Sequence, residues 1–417
     1  MIEATDSNSV LLGYDKFGHP LYKVIATPKE KEQWLKLYKM PDRVIPVVFL
    51  PGVMGSNLMS PDDGKPVWTV NGNTSMLPWI GRGPAKRKKL LDPTKTVVDP
   101  SGKIETESPE ERLLFSSRRE RGWGEVGAMS YGTFLPWLQE ALNDNQTMLT
   151  NKTSKNGRLT LRERLLDKAL GAETGESPLT TEEVALSYQY LFPVHAVGYN
   201  WLQSNMDSAQ ALADRIEKII GDYKASGRKC EKVILVTHSM GGLVARYYSQ
   251  LLDGDFGKKN ILGIVHGVMP DRGAPMAYKR MKAGEAGITG LVIGGNGAEM
   301  TAVLAQAPGP LQLLPGKGYG MGWFHVEGLK QPLPQTNPYT EIYTQRSVWW
   351  GLCEERFINP ENKNGDKILL EQDWKRFKNI INNHVSKFIE KLNGHYHENT
   401  YAFYGNDGKN YPSYAEL

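Results

Sequence analysis

The chain has 417 residues, of which 40% are hydrophobic and 23% charged, so composition excludes a disordered, collagen-like or disulfide-scaffold protein. Lys and Arg outnumber Asp and Glu by 50 to 46, a surplus too small to indicate a nucleic-acid partner. The two cysteines, Cys230 and Cys353, lack metal-ligand spacing, and we predict neither a metal site nor a cofactor. No signal-peptide pattern begins the sequence, and its most apolar stretch, residues 287–295, is shorter than the ~20 residues of a membrane span.

Strand and helix patterns alternate along the chain, which predicts an α/β fold with a mostly parallel sheet flanked by helices. Apolar runs predict strands at residues 44–50, 190–198, 233–236, 261–266 and 400–404. Helical periodicity predicts helices at residues 130–143, 207–223, 241–252 and 367–392, with Asp207 as the N-cap of the second.

We predict one domain that spans residues 1–417, and we expect two of its segments to be additions to the core fold. Residues 60–124 contain turn clusters and little periodicity, which indicates a surface insertion. Their basic run at residues 86–89 has two open interpretations, a solvated face or a contact with anionic lipid. Residues 276–340 are rich in Gly, Pro and Met, and we expect them to form a lid or cap.

The most informative segment is Val233-Ile-Leu-Val-Thr-His-Ser-Met-Gly-Gly-Leu-Val-Ala-Arg246. A serine between a strand and a helix, next to small residues, is typical of the nucleophile elbow of α/β-hydrolases. Gly241 and Gly242 meet the need for small residues, whereas Thr237 replaces the first glycine of the usual pattern. We therefore predict an α/β-hydrolase fold with Ser239 as the nucleophile.

Acyl transfer to a serine also requires backbone N–H groups that stabilise the developing oxyanion. One comes from the residue after the nucleophile, here Met240, and the other from a loop after an earlier strand. The loop that follows residues 44–50 begins with Pro51-Gly52, and Gly52 lets the backbone turn so that the amide of Val53 faces the site.

Several motifs resemble, in order, those of the lecithin–cholesterol acyltransferase and lysosomal phospholipase family of α/β-hydrolases. They are Leu50-Pro-Gly-Val-Met-Gly-Ser-Asn-Leu58, Gly127-Ala-Met-Ser-Tyr-Gly-Thr-Phe134, Tyr199-Asn-Trp201, Val236-Thr-His-Ser-Met-Gly241, Met269-Pro-Asp-Arg-Gly-Ala-Pro275 and Leu311-Gln-Leu-Leu-Pro315. The resemblance covers roughly residues 44–405 and implies an esterase that acts on lipid acyl chains, with Ser239 as nucleophile and Val53 and Met240 as oxyanion donors.

A long variant of this pattern without a signal peptide resembles the bacterial phospholipase effectors of type VI secretion. That resemblance implies a glycerophospholipid substrate at a membrane surface and, as partners, delivery machinery and a cognate inhibitor (immunity) protein. It also implies synthesis in the cytoplasm, export by a signal-less route and action at a target membrane.

The acid and base of a catalytic triad are harder to assign. His238 belongs to the elbow and is expected to be a packed neighbour of the serine, His195 precedes the nucleophile, and His266 lies in a strand. Of the histidines after Ser239, only His395 and His397 lie near a strand that borders the site.

Two hypotheses for the triad stay open. Asp407 follows the last predicted strand, which suits a triad acid, and it would pair with His397 or His395 within the chain. The resemblance instead places a histidine after the acid, and only 12 residues follow Gly405, so the alternative is that residues beyond Leu417 complete the triad.

Two other functions remain alternatives at this point. One is a related serine-dependent reaction, either acyl transfer to a non-water acceptor or thioester hydrolysis. The other is a non-catalytic binding module that keeps the fold without a working triad.

Overall fold

The computed structural model describes residues 41–144, 160–171, 175–251 and 256–405, together with the backbone of several short strands outside these ranges. Those short strands are Ser7–Val10, Leu12–Tyr14, Pro20–Tyr22, Trp34–Leu37 and Ala415–Glu416. Within the described part, no helix has both the length and the apolar character needed to cross a membrane.

A parallel sheet of five strands forms the centre of the protein. In chain order the strands are β1 (Val47–Leu50), β2 (Val194–Ala196), β3 (Val233–His238), β4 (Ile261–Gly267) and β5 (Thr400–Phe403), and their order across the sheet is β2-β1-β3-β4-β5. Every neighbouring pair is parallel. The sequence-based prediction of an α/β fold with a parallel sheet is thus confirmed, and β3, which leads to Ser239, lies at the centre of the sheet.

The side chains of β1 belong alternately to two hydrophobic clusters. Val47 and Phe49 belong to one cluster, whereas Val48 and Leu50 belong to the other. Because successive side chains of a strand point to opposite faces, the clusters lie on the two faces of the sheet.

Helices cover both faces. Helix α1 (Phe134–Asn143) packs on the first cluster, where the ring of Phe134 contacts that of Phe49. Helices α2 (Asn205–Ala225) and α3 (Gly241–Leu251) pack against each other, and α3 contacts the sheet.

Helix α2 begins two residues before the predicted start. The hydroxyl of Ser204 accepts a hydrogen bond of 3.3 Å from the backbone N–H of Met206 and so caps the helix. The prediction that Asp207 is the N-cap is wrong because Asp207 lies in the first turn, where its negative charge favours the helix N-terminus.

The predicted helix at residues 367–392 is present as three consecutive pieces. They are an α-helix at Lys367–Asn379, a π-helix at Ile380–Val385 and an α-helix at Ser386–Leu392.

The segment at residues 60–124 is anchored in the core. Strands Pro66–Trp68 and Val97–Val98 flank Leu58–Met59 in a small antiparallel sheet. Trp68 and Trp79 are buried, and their rings lie 5.2 Å apart. Its helical turns are Asn73–Met76, Leu77–Trp79, Pro84–Leu90, Pro109–Leu114 and Trp123–Glu125.

About half of residues 276–340 are helical, and Arg87 is one of the residues that join them to the segment 60–124. The helices are Pro275–Ala283, Gly287–Ile293, Gly297–Leu304, Pro308–Leu311 and the single turn Lys317–Tyr319. Arg87 is 2% exposed and donates hydrogen bonds of 2.8 and 2.6 Å to the carbonyls of Leu291 and Val292. Arg87 therefore belongs neither to a solvated face nor to a contact with anionic lipid, the two interpretations of the basic run at residues 86–89. Lys86 and Lys89 of that run are exposed.

The remaining elements are short. They comprise Arg43–Val44 paired with Tyr190–Leu191, Phe324–His325 paired with Ala415–Glu416, and the helices Ala128–Tyr131, Glu163–Leu165, Thr181–Ser187, Phe256–Asn260, Tyr339–Tyr343 and Glu355–Ile358.

Candidate active site

Ser239 lies in a sharp turn between β3 and α3. Its φ angle is +51°, in the left-handed region that a residue with a side chain rarely adopts. The turn is secured by two backbone hydrogen bonds, from Ser239 N–H to Gly267 O (2.9 Å) and from Gly242 N–H to Ser239 O (3.0 Å). A strained conformation of this kind, held by its surroundings, is typical of the nucleophile elbow.

The two glycines after the serine are required by close packing. A β-carbon on Gly241 would lie 2.5 Å from the carbonyl oxygen of Pro51, and one on Gly242 would lie 2.6 Å from the side chain of Met269. Both distances are shorter than van der Waals contact, so only glycine lets α3 approach the loop after β1 and the segment after β4.

Two backbone N–H groups are available at the elbow. Among the described residues, neither the amide of Met240 nor that of Val53 has a hydrogen-bond partner. Gly52 brings the loop next to the nucleophile, since a β-carbon there would lie 3.2 Å from Cβ of Ser239. An oxyanion hole needs two donors of this kind, so Val53 and Met240 stay the predicted donors.

Two tyrosine hydroxyls hold this loop from opposite directions. Tyr199 donates a hydrogen bond of 2.9 Å to Pro51 O, and Tyr131 accepts one of 2.9 Å from Gly52 N–H. Burial raises the pKa of Tyr131 to about 12, so the phenol is neutral. Neither tyrosine was predicted from the sequence to have a role, although both stand in motifs on which the family resemblance rests.

A cavity of about 470 Å³ opens beside the elbow, and its walls are mostly apolar. The loop after β1, the segment 60–124, the segment 276–340 and the end of β5 all contribute to it. The lining side chains include Val53, Met54, Trp68, Val70, Met76, Phe134, His238, Ile293 and Phe403. Its size and apolar lining suit a hydrocarbon chain or another apolar ligand.

His238 and His266 flank the site without contacting the hydroxyl of Ser239. Nδ1 of His238 lies 2.9 Å from the hydroxyl of Tyr131, and burial lowers the pKa of this imidazole. Nδ1 of His266 lies 2.8 Å from the hydroxyl of Thr237, and burial lowers the pKa of His266 to about 4. The prediction of a core position for His266 is confirmed, since it is 1% exposed.

The structure does not bring His397 to Ser239. His397 precedes β5. Its pKa is lowered mainly by burial and also by the nearby charge of Lys232, the residue before β3, so His397 lies at the amino edge of the sheet. Ser239 follows β3 at the carboxyl edge, and six residues at ~3.3 Å each separate the two edges by about 20 Å. The assignment of His397 as the base is therefore corrected. The carbonyl of His395 accepts hydrogen bonds of 3.1 Å from Arg246 of α3, and among the described residues no hydrogen bond joins its ring to Ser239.

Asp407 lies outside the described residues. The strand before it, β5, ends at Phe403 on the carboxyl edge of the sheet. Among the described residues, no side chain makes a hydrogen bond with the hydroxyl of Ser239, and no group of three or more His, Cys, Asp or Glu residues could hold a metal ion.

Comparison with known proteins agrees with this geometry. The family model described as a PGAP1-like alpha/beta domain matches residues 198–283, which include β3, Ser239 and β4. The Tle4 chain in the crystal structure of the Tle4–Tli4 complex superposes with a TM-score of 0.72 at 31% sequence identity, over 88% of this chain and 75% of that one. This chain belongs to the α/β-hydrolase family of Tle4.

Membership in this family identifies the protein as a hydrolase with the α/β-hydrolase fold. No curated protein sequence matches the chain at a significant level.

Proposed function

We propose that the protein is a serine esterase that hydrolyses acyl esters of glycerophospholipids through an acyl-Ser239 intermediate. The observation that carries this proposal is the strained elbow at Ser239, together with the amides of Val53 and Met240, which have no hydrogen-bond partner among the described residues. The cavity of about 470 Å³ next to the elbow offers room for part of an acyl chain.

The chemistry follows from this arrangement. Oγ of Ser239 attacks the ester carbonyl and forms a carbon–oxygen bond, while a general base accepts the hydroxyl proton. The amides of Val53 and Met240 stabilise the oxyanion, and the bond to the lysolipid oxygen breaks as that oxygen takes the proton. Water then attacks the acyl-serine and releases the fatty acid and free Ser239.

This proposal needs a general base and an acid that orients it. Asp407, four residues after the end of β5, is our proposed acid. The base is a histidine that Asp407 orients, because the acid of a triad fixes the tautomer of its base.

Exposed apolar residues near the cavity support a substrate in a membrane. Leu77 and Leu291 are 58% and 51% exposed, and each is close in sequence to a residue that lines the cavity, Met76 and Ile293. The turn Leu77–Trp79 contacts the helix Gly287–Ile293, so the two leucines belong to one surface. With the exposed Lys86 and Lys89 nearby in the chain, this surface is suited to anionic lipid.

We further propose that residues 276–340 act as a lid and that the protein is an antibacterial effector of type VI secretion. In this proposal it is made in the cytoplasm without a signal peptide, acts at a target membrane and is neutralised by a cognate inhibitor. The relative Tle4 supports this proposal because its structure is that of a complex with Tli4.

A fluorophosphonate probe tests the central step because it reacts only with an activated serine. We expect the full chain to be labelled at Ser239 and to release fatty acid from phosphatidylethanolamine and phosphatidylglycerol vesicles, with both activities lost in Ser239→Ala. Ser249→Ala is the matched control, since Ser249 lies in α3, the helix after the elbow, and among the described residues its hydroxyl bonds only the carbonyl of Arg246 (3.0 Å).

Other outcomes distinguish the alternatives. No labelling of a folded wild-type chain would contradict the proposal for these 417 residues. Rescue of labelling by a downstream segment would then indicate a triad completed beyond Leu417, and no rescue would favour a binding module. Acyl transfer to an added alcohol in preference to water would identify an acyltransferase. Preferential hydrolysis of acyl thioesters would identify a thioesterase.

The effector role has a separate test. The chain is fused to an export signal and produced in the periplasm of a bacterium that lacks an inhibitor for it. We expect growth arrest and accumulation of lysophospholipid, which Ser239→Ala prevents. Normal growth with an active, exported enzyme would contradict the effector role and leave the esterase proposal intact.

A further inference from the structure

The loop that carries Val53 is joined to the residue before the nucleophile through a single hydroxyl group. The phenolic oxygen of Tyr131 lies 2.9 Å from Gly52 N and 2.9 Å from Nδ1 of His238. Tyr131 is 7% exposed and comes from the helix Ala128–Tyr131, outside both the loop and the elbow.

The direction of each bond follows from the number of protons. Gly52 N–H is always a donor, so the oxygen of Tyr131 accepts at that contact. The phenol is neutral and has one proton of its own, for which Nδ1 of His238 is the one acceptor within reach among the described residues. Nδ1 is therefore unprotonated, and neutral His238 carries its proton on Nε2.

The environment of His238 agrees with a neutral ring. Burial lowers its pKa, and no carboxylate contributes to the shift of that pKa. A protonated Nδ1 would turn the contact with Tyr131 into one between two donors unless the phenolic proton found another acceptor. Because Nδ1 is already occupied as an acceptor, His238 does not accept the proton of Ser239 through that atom.

We propose that Tyr131 is a positioning residue of the oxyanion hole that fixes the loop at Gly52 and sets the tautomer of His238. This inference rests on the proposed function, because it assigns Val53 as an oxyanion donor. The bond from Gly52 N–H to Tyr131 fixes the Pro51–Gly52 peptide unit, which directly precedes the unit that carries the Val53 N–H, so it restricts where that donor can lie. A displacement of that donor by ~1 Å costs about a hundredfold in rate.

The protein contains a matched control for the loss of a tyrosine–histidine bond. His195 is buried and Tyr223 is half-buried, and the Tyr223 hydroxyl lies 2.9 Å from Nε2 of His195. This pair lies in α2 and β2, away from the elbow. Tyr223→Phe removes the same kind of bond as Tyr131→Phe without touching the loop.

The first experiment compares Tyr131→Phe with Tyr223→Phe. We expect Tyr131→Phe to reduce the rate of fluorophosphonate labelling and kcat by tenfold to a hundredfold with KM changed less than twofold. Tyr223→Phe is expected to lower thermal stability comparably and to keep the wild-type labelling rate. A wild-type rate for folded Tyr131→Phe, or an equal loss in both variants, would overturn the inference.

The second experiment requires no enzymatic activity. Nitrogen-15 NMR of the histidine-labelled full chain distinguishes the two neutral tautomers, and the signal of His238 is assigned by its loss in His238→Asn. We expect the Nε2–H tautomer in the wild-type protein and a mixture in Tyr131→Phe. An Nδ1–H tautomer in the wild-type protein would overturn the inference.

Failure of the proposed function has a different signature. If Ser239 of the wild-type chain is not labelled, the esterase assignment fails, and the positioning role fails with it. The wild-type tautomer then decides only whether the Tyr131–His238 bond has the proposed direction. If the wild-type chain is labelled and Tyr131→Phe reacts equally fast, only the positioning role fails.

Discussion

Gly52 packs so closely against His238 that a β-carbon on Gly52 would lie 2.9 Å from Nδ1 of the imidazole. The same β-carbon would lie 3.2 Å from Cβ of Ser239. One small residue thus determines how close the proposed oxyanion donor of Val53 comes to the nucleophile.

Gly52→Ala is predicted to impair catalysis more than folding. The added methyl group forces the loop away from His238 and Ser239, and a displacement of ~1 Å reduces kcat by about a hundredfold. Overpacking costs about 1–3 kcal/mol in the free energy of unfolding. Steady-state kinetics and urea unfolding measure the two effects.

The control for this prediction is Gly221→Ala. Gly221 lies in α2, and a β-carbon there has no atom within 4 Å. We expect wild-type activity and a gain of about 0.5–1 kcal/mol in stability, because glycine is unfavourable inside a helix. Equal kcat for Gly52→Ala and Gly221→Ala would contradict the close-packing argument.

The elbow was predictable from the sequence because its determinants are local. A strand, a serine, two glycines and a helix follow one another within residues 233–251. The roles of Tyr131 and Tyr199 were not predictable in this way, since their partners Gly52 and Pro51 lie 79 and 148 positions away. Such contacts depend on the packing of segments that the sequence pattern does not relate to each other.

The position of His397 shows a different limit. Proximity in sequence to a strand of the sheet indicated a residue near the site, but a parallel strand has two ends with different neighbours. His397 precedes β5, and the residues before parallel strands collect at the edge opposite the nucleophile. The direction of β5 in a parallel sheet would therefore have excluded His397 as the base.

Arg87 is predicted to stabilise the contact between the segments 60–124 and 276–340. Its buried guanidinium donates to the carbonyls of Leu291 and Val292, and bonds from a charged donor contribute about 1.5–3 kcal/mol each. We expect Arg87→Met to lower the free energy of unfolding by about 2–4 kcal/mol. Lys86→Met, at an exposed neighbour, is expected to change it by less than about 0.5 kcal/mol.

Thermal and urea unfolding of the two variants measure this difference. Unfolding of Arg87→Met at the wild-type urea concentration would show that the buried hydrogen bonds contribute nothing net.

Acid is predicted to destabilise the protein between pH 6.5 and 4 through His266. Burial lowers the pKa of His266 from 6.5 to about 4, so in this range the unfolded chain binds a proton that the folded chain does not. Stability therefore rises with pH across the window and falls as the pH drops. The contribution is about 3 kcal/mol over the full window.

The test compares the pH dependence of unfolding in the wild type and in His266→Asn. The asparagine amide keeps a polar group for the Thr237 hydroxyl and does not titrate. We expect a smaller slope for the variant between pH 4 and 6.5, while His195, whose pKa burial lowers to about 3, contributes equally to both proteins. Parallel curves would contradict the assignment to His266.

The exposed leucines near the cavity are predicted to bind lipid. We expect Leu77→Ser and Leu291→Ser to weaken binding to anionic vesicles and to reduce hydrolysis of aggregated lipid, because each removes about 1.5–3 kcal/mol of apolar burial in the bilayer. Hydrolysis of a monomeric short-chain ester should stay at the wild-type rate. Leu186→Ser is the control, since Leu186 is 49% exposed on the separate helix Thr181–Ser187.

Vesicle sedimentation and activity above and below the aggregation point of the substrate provide the measurement. A wild-type enzyme equally active on monomers and aggregates would argue against a lid at residues 276–340. An equal effect of all three leucine substitutions on vesicle binding would argue against a specific surface.

The last prediction concerns the base. His397 lies at the amino edge, about 20 Å from Ser239. A proton transfer needs a heavy-atom distance of ~2.6–3.2 Å or one bridging water, so His397 does not reach the hydroxyl. We therefore expect His397→Ala to leave the rate of fluorophosphonate labelling at the wild-type value. Asp407→Asn is expected to slow labelling, because Asp407 is the proposed acid that orients the base, and the base activates Ser239. Loss of labelling in a folded His397→Ala variant would place His397 at the nucleophile and contradict the strand arrangement on which this assignment depends.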